Sequence, residues 1–192
     1  MIKSIAVFCG SKSGLNLLFE EHAKQLGYLL AQQNITLIYG GGNKGLMGAV
    51  ANAVLEKSGH VIGIIPQLLT DREHSHKGIS ELIIVDNMHI RKQLLYDKCD
   101  AAIILPGGFG TLDELFEALT LIQTKKVAQF PVVLVGSQFW TGLVDWIKEV
   151  MLKKEQNIHE DDLLLFSVVD TADEAVNAII EFYEKYVLKP NF

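Results

Sequence analysis

The sequence predicts an α/β fold in which helices cover both faces of one mainly parallel β-sheet. Short apolar runs of strand length alternate with longer stretches whose apolar residues recur at helical spacing. Glycine-rich turns follow three of the apolar runs, at residues 10–14, 40–45 and 107–111. Parallel strands end at one edge of a sheet, where such folds bind ligands, so we expect the three turns to meet there.

The alternation gives a definite order of elements. Strands are predicted at residues 2–9, 35–39, 60–65, 82–85, 101–105, 131–135 and 163–169. Helices are predicted at residues 15–33, 46–57, 88–98 (capped by Asn87), from Thr111 to Ile122, and at 139–151 and 171–186. We therefore expect residues 1–192 to form a single domain with a doubly wound, Rossmann-like sheet.

Composition narrows the class of protein. A chain of 192 residues with 49% hydrophobic and 21% charged residues is typical of a globular protein. The net charge of −6 argues against a nucleic-acid partner, which needs a basic face. Cys9 and Cys99 form no C-x-x-C pattern, and no apolar run reaches the length of a membrane span. Strand-like sequence from residue 2 leaves no signal peptide, so we expect a cytoplasmic protein without a membrane partner.

Residues 101–114 hold the arrangement that best suits a binding site. The apolar run 101–105 is typical of a strand buried on both faces, and Pro106 and the glycines after it end that strand. Thr111 is suited to cap the next helix. The amides at a helix N-terminus attract anions, so this turn is predicted to bind a phosphate group.

The turn Gly40-Gly-Gly-Asn-Lys-Gly45 matches the dinucleotide pattern G-x-G-x-x-G. It follows the second strand rather than the first, and the next strand ends at Pro66 without the acidic residue that binds the ribose of NAD. The turn therefore favours a phosphorylated ligand over NAD, with a plain tight turn as the alternative. The sequence lacks G-x-x-x-x-G-K-[ST], so a P-loop nucleoside triphosphatase is not indicated.

Charged residues beside these turns have two interpretations each. Glu114 either completes a capping box with Thr111 or faces a bound phosphosugar, where the helix dipole favours its ionised form by about 0.3–1 kcal/mol. Arg91 and Lys92 fall in the first turn of a predicted helix, where the dipole disfavours cations. An anion held between the two would explain them, and a solvated surface pair is the alternative.

The histidines do not indicate a metal site. His74 and His76 have no third ligand nearby in the sequence, so no metal is predicted. His89 is expected to be a surface or core residue of its helix rather than a catalyst.

Several of these stretches resemble elements of one known family. Pro106-Gly-Gly-Phe-Gly-Thr-Leu-Asp-Glu114 resembles the PGGxGTxxE signature of the LOG ("Lonely Guy") proteins, and Met88-His-Ile-Arg-Lys92 resembles their MHxRK element. Tyr39-Gly-Gly-Gly-Asn-Lys-Gly-Leu-Met-Gly48 and Phe8-Cys-Gly-Ser11 are similar to further family elements in the same order. The likeness covers residues 2–150.

The resemblance implies a homodimeric hydrolase that cleaves adenosine 5′-monophosphate, often N6-modified, into free base and ribose 5-phosphate. Many bacterial relatives carry an older label, possible lysine decarboxylase. By motif position, the resemblance implies Arg91 and Glu114 as the catalytic pair. The implied substrate-binding residues are these two and Gly42, Glu73, Met88, Lys92, Gly107, Gly108, Phe109, Gly110, Thr111 and Thr120. The chain departs from the family at Asp113, often Glu in relatives, and in the His-rich stretch 74–78. The second departure leaves the preferred base open.

The residues fit this chemistry without a cofactor. Breaking a glycosidic bond builds positive charge on the sugar, which the Glu114 carboxylate can stabilise, or it can activate water. Arg91 can bind the phosphate or polarise the leaving base. Lysine decarboxylation normally needs an electron sink such as PLP, and no lysine stands out as its partner. The alternatives are a non-catalytic nucleotide or phosphorylated-cofactor carrier and an NAD-dependent oxidoreductase.

Overall fold

The strands form one seven-stranded sheet in which every neighbouring pair is parallel. The computed structural model describes residues 2–70 and 75–187. In chain order the strands are β1 (Ser4–Phe8), β2 (Thr36–Tyr39), β3 (Val61–Pro66), β4 (Glu81–Val85), β5 (Ala101–Ile104), β6 (Val132–Val135) and β7 (Ser167–Val169). The predicted α/β fold with a parallel sheet is confirmed.

Helices connect these strands on both faces of the sheet. They are α1 (Leu17–Gln32), α2 (Gly45–Glu56), α3 (Met88–Asp97), α4 (Phe109–Gln123), α5 (Ser137–Trp146) and α6 (Ala172–Val187). A short 3-10 helix, Gln67–Leu69, follows β3. Within the described ranges, no helix has both the length and the apolar character needed to cross a membrane.

The chain order of the strands places a crevice at the centre of the sheet. The spatial order is β4-β3-β2-β1-β5-β6-β7, so the chain moves outward from β1 to β4 and then returns to the other side of β1. Phe8, the last residue of β1, pairs with Ile104, the last residue of β5. The segments that leave these two strands therefore start side by side and diverge, which is where sheets of this kind bind ligands.

Two apolar cores explain why the strands are almost continuously hydrophobic. Successive strand residues point to opposite faces. In β1, Ile5 and Val7 face the core formed with α1, α2 and α6. Ala6 and Phe8 face the core formed with α3, α4 and α5. A strand buried on both faces needs apolar residues at every position, and this requirement explains the continuous apolar runs in the sequence.

The predicted strand at 163–169 is wrong over most of its length. Glu160–Leu165 form a 3-10 helix, and only Ser167–Val169 form β7. The side chain of Asp162 accepts a hydrogen bond from the backbone N–H of His159 at 2.8 Å. This local bond closes the turn and overrides the strand preference of the apolar residues that follow it.

The helix predicted at 139–151 also differs from the structure. It begins earlier, at Ser137, as α5, and continues beyond Trp146 as the π-helical segment Ile147–Lys154. The helical segment therefore ends at Lys154, three residues beyond the predicted end. Most other element ends differ from the prediction by one or two residues, as helix and strand ends commonly do.

Gly27 allows α1 to lie directly against α2. A β-carbon at this position would lie 2.6 Å from the carbonyl oxygen of Val50 and 2.6 Å from the β-carbon of Ala53. Both distances are well below van der Waals contact. The close approach of the two helices therefore depends on a residue without a side chain.

We expect Gly27→Ala to lower the free energy of unfolding by about 1–3 kcal/mol, because the added methyl group forces the two helices apart. Gly142→Ala is the control, since a β-carbon on this exposed residue of α5 meets open space. That variant should gain up to about 1 kcal/mol from the better helix propensity of alanine. Urea unfolding followed by circular dichroism measures both, and equal effects would contradict the packing role of Gly27.

Candidate active site

The three glycine-rich turns meet at the carboxyl edge of the sheet, as the sequence predicts. A cavity of about 200 Å³ opens there. It is lined by Val7, Phe8, Cys9, Gly10, Ser11, Gly40, Met47, Arg91, Gly108, Phe109, Gly110, Thr111 and Glu114. A second cavity of about 400 Å³ shares Gly10, Ser11 and Gly108 with the first, so the two lie next to each other.

The N-terminus of α4 forms one wall of the cavity. The helix begins at Phe109 with Gly108 as its N-cap, and no side chain caps it. The first amides of a helix have no carbonyl partner within it, and the helix dipole makes this end positive. The wall therefore has the features of the anion site predicted for this turn.

Thr111 lies inside α4 rather than at its cap, so the predicted Thr111 cap is wrong. The capping-box interpretation of Glu114 fails with it, because that motif needs Thr111 at the N-cap. Thr111 is buried instead against Gly107, where a β-carbon would lie only 2.0 Å from the threonine Oγ1. This tight contact brings Thr111 into the first helical turn.

Arg91 reaches from α3 to the ends of two strands. Its Nε donates to the carbonyl oxygen of Ile64 at 3.0 Å, and its Nη2 donates to the carbonyl oxygen of Gly40 at 3.2 Å. Only 6% of the residue is exposed, so these carbonyls replace water around the charge. Nη1 lies 3.9 Å from Oε1 of Glu114. The cation is thus buried beside a carboxylate, and the surface-pair interpretation is wrong for Arg91.

The helix that carries Arg91 begins where the sequence predicts. Asn87 is its N-cap, and the Asn87 Oδ1 accepts hydrogen bonds from the N–H groups of His89 and Ile90, both at 3.0 Å. His89 is exposed on the surface of α3, which is one of the two positions predicted for it. The cap fixes the start of α3 and hence the point from which Arg91 extends.

The turn at 40–45 owes its glycines to close packing. A β-carbon at Gly40 would lie 2.3 Å from Nη2 of Arg91. Gly45 has a φ of +60°, and a β-carbon there would lie 2.4 Å from the backbone of Ser11. The glycines therefore make room for the Arg91 side chain and for the neighbouring turn, which explains the G-x-G-x-x-G match without a dinucleotide.

Glu114 lies in the second turn of α4 and is 8% exposed. It lines the cavity together with Cys9. Burial, and then the charge of Glu114, raise the pKa of the Cys9 thiol far above its usual range. Because only a thiolate is a good nucleophile, Cys9 serves as a neutral part of the wall. Among the described residues, the charged side chains that line the cavity are those of Arg91 and Glu114.

Lys92 lies outside the cavity, between α3 and α4. Its Nζ lies 3.1 Å from Oδ2 of Asp113 and 3.0 Å from Oε2 of Glu117. Burial works against the charged form, but these two carboxylates raise the pKa of Lys92 above its usual range. The ammonium group therefore joins two helices, and its assignment as a substrate ligand stays a prediction.

Three other predicted ligands are not among the residues that line the first cavity. Gly107 lines the second cavity, and Gly42 forms a β-bridge with Ser75. The Met88 Sδ lies 3.8 Å from Nη1 of Arg91. As substrate ligands, these residues stay predictions.

One further predicted ligand, Thr120, does not line the cavity. Thr120 is exposed on α4, and its hydroxyl donates to the Phe116 carbonyl at 2.7 Å. Glu73 lies outside the described residues, as does His74. In residues 2–70 and 75–187, no group of three His, Cys, Asp or Glu side chains is placed to bind a metal ion.

Sequence reasoning did not assign seven residues of the cavity wall as ligands. These are Val7, Phe8, Cys9, Gly10, Ser11, Gly40 and Met47. The available signal was position, since they lie at the carboxyl ends of β1 and β2 or in the first turn of the helix that follows. Their side chains are mostly small or apolar, so residue type alone did not mark them as part of a site.

His76 joins the segment 75–78 to the turn beside the cavity. Its backbone N–H donates to the Gly41 carbonyl at 2.9 Å, and its Nε2 lies 2.9 Å from Oδ1 of Asn52. The ring Nδ1 accepts from the N–H of Gly78 at 3.1 Å. A nitrogen that accepts carries no proton, so the imidazole is neutral. Burial lowers the pKa of His76, which agrees with this form.

Fold and site together define a Rossmann-type α/β protein whose cavity combines a helix N-terminus with a buried Arg–Glu pair. Residues 47–179 match the family model described as possible lysine decarboxylase. The chain belongs to this family, which confirms the predicted LOG resemblance.

Two curated relatives of this chain carry the name of the same enzyme. A cytokinin riboside 5′-monophosphate phosphoribohydrolase of Arabidopsis thaliana is 46% identical over 153 residues, 78% of this chain and 70% of that protein. A protein of the same name from Rhodococcoides fascians is 38% identical over 152 residues, 79% of this chain and 77% of that protein.

The molybdenum cofactor binding protein of Rippkaea orientalis has a similar fold, with a TM-score of 0.71 over 95% of this chain and 98% of that chain. It is 20% identical, so it shows the fold alone.

Because His76 is neutral in the folded chain, we predict that the protein loses stability in mild acid. The unfolded chain takes up a proton at this imidazole near pH 6.5, whereas the folded chain takes it up only at lower pH. The unfolded state therefore binds more protons below about pH 6.5, and the free energy of unfolding falls as the pH drops. We expect His76→Gln to show a shallower decline than the unsubstituted protein in urea unfolding across this range. His89→Gln, at an exposed position, is the control, and a matching decline in all three proteins would refute the assignment.

Proposed function

We propose that this protein hydrolyses the N-glycosidic bond of adenosine 5′-monophosphate or an N6-modified derivative, releasing the free base and ribose 5-phosphate. One observation carries the proposal. Arg91 and Glu114, from different helices, lie buried and 3.9 Å apart in the cavity that also holds the uncapped N-terminus of α4. The names of the curated relatives, phosphoribohydrolases of a nucleoside monophosphate, support the same reaction.

The N-terminus of α4 anchors the 5′-phosphate in this proposal. Residues 108–111 line the cavity, and the first amides of the helix are free of partners within it. A phosphate held there fixes the ribose relative to the Glu114 side chain, one helical turn further on. Such orientation lowers the barrier of the chemical step by several kcal/mol in favourable cases, roughly 7–11 kcal/mol at most.

Glu114 acts on the anomeric carbon. As the bond from C1′ to the base nitrogen breaks, the bonding electrons leave with the base and positive charge builds on the sugar. The carboxylate stabilises this charge and accepts a proton from the attacking water, and this proton then passes to the nitrogen of the departing base. The water thus supplies both the anomeric hydroxyl group of the ribose and the hydrogen of the free base. Free base and ribose 5-phosphate result.

Arg91 supports Glu114 and contacts the substrate. Its Nε and Nη2 are held by two main-chain carbonyls, which fix the plane of the guanidinium group. Nη1 faces Glu114 across 3.9 Å, so the cation favours the ionised carboxylate and offers a donor at the same point. This arrangement suits a site in which a buried carboxylate must remain charged.

The cavity gives little support to the decarboxylase label of the family model. Amino-acid decarboxylation with PLP requires a lysine that forms a Schiff base. Among the described residues, no lysine lines the cavity that contains Glu114. The Lys92 ammonium beside it is paired with two carboxylates and raised in pKa, which makes it a poor amine nucleophile.

The protein is further proposed to act as a cytoplasmic homodimer. Ile84 on the edge strand β4, and Met88 and Ile90 at the start of α3, are 51%, 39% and 39% exposed. An edge strand with exposed apolar neighbours is a common contact surface between subunits. Cys9 and Cys99 are free thiols, which suits a reducing compartment.

Replacing Glu114 tests the reaction. We expect the purified protein to release free base from adenosine 5′-monophosphate or N6-isopentenyl-adenosine 5′-monophosphate, measured by liquid chromatography. Glu114→Gln should lower kcat by about 100-fold or more, because the amide can neither accept the proton nor stabilise the sugar cation.

Glu181→Gln is the matched control, since Glu181 is an exposed glutamate on α6. It should retain full activity. Base release by Glu114→Gln at the unsubstituted rate would remove Glu114 from the chemistry. Tight binding of the nucleotides without any base release would instead favour the carrier function.

The dimer is tested by light scattering after size-exclusion chromatography. We expect the mass of two chains, and Ile90→Glu should shift the protein to one chain, because a charge would be buried in the contact. Leu164→Glu is the control at an exposed apolar residue near the opposite edge of the sheet. A single-chain mass for the unsubstituted protein would exclude the dimer.

A further inference from the structure

Tyr96 belongs to one of the elements that form the cavity and contacts two others. It belongs to α3 and is buried. Its hydroxyl donates to the main-chain carbonyl of Glu114 in α4 at 2.7 Å. Its ring packs edge-on against Phe8 of β1, with 5.8 Å between ring centroids. None of the sequence patterns singled out this residue, and its side chain does not line the cavity.

The bond to the Glu114 carbonyl acts on the residue that carries the reactive carboxylate. In an α-helix this carbonyl already accepts the N–H four residues later. The Tyr96 hydroxyl adds a second donor from a neighbouring helix, and this second bond fixes the rotation of the turn about the axis of α4. Because the carbonyl and the side chain are attached to one Cα atom, holding the carbonyl in place sets the direction of the Cα–Cβ bond from which the carboxylate extends.

The hydroxyl is a dependable donor. Burial, the nearby charges of Glu117, Glu114 and Asp113, and a hydrogen-bond interaction with the Glu117 side chain raise the pKa of Tyr96 far above its usual range, so the proton stays on the phenol. The 2.7 Å bond directs this proton to the Glu114 carbonyl, with the Glu117 carboxylate beside it. The ion pairs of Lys92 join the same two helices at Asp113 and Glu117, on either side of Glu114. The hydrogen bond from Tyr96 holds α4 at Glu114, which lies between these two residues along the helix.

We propose that Tyr96 is a positioning residue, which holds the Glu114 carboxylate at its place beside Arg91 through the hydrogen bond to the Glu114 carbonyl. The proposal rests on the proposed hydrolase function in so far as Glu114 is the group that acts. Tyr96 itself contacts neither the cavity nor a substrate in it. Its effect is therefore expected on the rate of the chemical step rather than on nucleotide affinity.

The test is Tyr96→Phe, which removes the hydroxyl and keeps the ring against Phe8. We expect kcat for base release to fall about tenfold, while KM stays within about twofold, because a small misplacement of a catalytic group costs rate rather than binding. Partial unfolding of the variant would also lower the measured kcat, because a smaller fraction of the molecules would be active. Thermal unfolding is therefore measured in parallel, with assays well below the midpoint.

Tyr183→Phe is the matched control. The Tyr183 hydroxyl also donates to a main-chain carbonyl, that of Asp100. Asp100 precedes β5, so this bond lies at the amino-terminal ends of the strands, away from the cavity at their carboxyl ends. Removing it deletes the same type of bond away from the cavity, so kcat and KM should both stay within about twofold. Equal kcat in the two variants would overturn the proposal.

Hydrogen exchange separates this proposal from the proposed function. We expect amides in residues 109–118 to exchange several times faster in Tyr96→Phe than in the unsubstituted protein, and to be unchanged in Tyr183→Phe. If the unsubstituted protein releases no base from any purine nucleotide, the hydrolase function fails, and the exchange result still decides whether Tyr96 holds this turn. Unchanged exchange in Tyr96→Phe would refute the positioning role.

Discussion

The buried guanidinium group of Arg91 constrains the structure around the cavity. A charge removed from water is tolerated only where hydrogen bonds and an opposite charge replace the solvent. Two main-chain carbonyls at the ends of β2 and β3 and the carboxylate of Glu114 provide this replacement. The ends of two strands and the helices α3 and α4 must therefore keep fixed relative positions.

The same requirement explains the small residues around the site. Gly40 leaves room for Nη2 of Arg91, and Gly107 leaves room for Thr111 and for the turn at Gly10. Side chains at these positions would collide with groups that have little freedom to move. The glycines thus serve close packing as much as the conformational freedom usually assigned to glycine-rich turns.

Burial also determines which groups can act. Electrostatic interactions are stronger where water is excluded, so Arg91 and Glu114 attract each other more strongly than an equivalent pair at the surface would. Burial keeps the thiol of Cys9 neutral by raising its pKa, and the charged ammonium group of Lys92 is paired with Asp113 and Glu117 outside the cavity. Among the described residues, the charged side chains that line the cavity are one carboxylate and one guanidinium group, beside the N-terminus of α4. This small set of groups agrees with hydrolysis of a phosphorylated nucleoside.

Local patterns in the sequence determined the order of strands and helices, the meeting of the three turns and the Asn87 cap, because periodicity and capping depend on neighbouring residues. The Thr111 cap and the strand at 163–169 were wrong, because close packing at Gly107 and a local side-chain bond decided those ends. Only the tertiary structure showed that Arg91 turns inward to Ile64 and Gly40 while Lys92 pairs with α4. Both destinations lie far away along the chain, so no local pattern specifies them, and the folded packing of α3 against the sheet and α4 decides them.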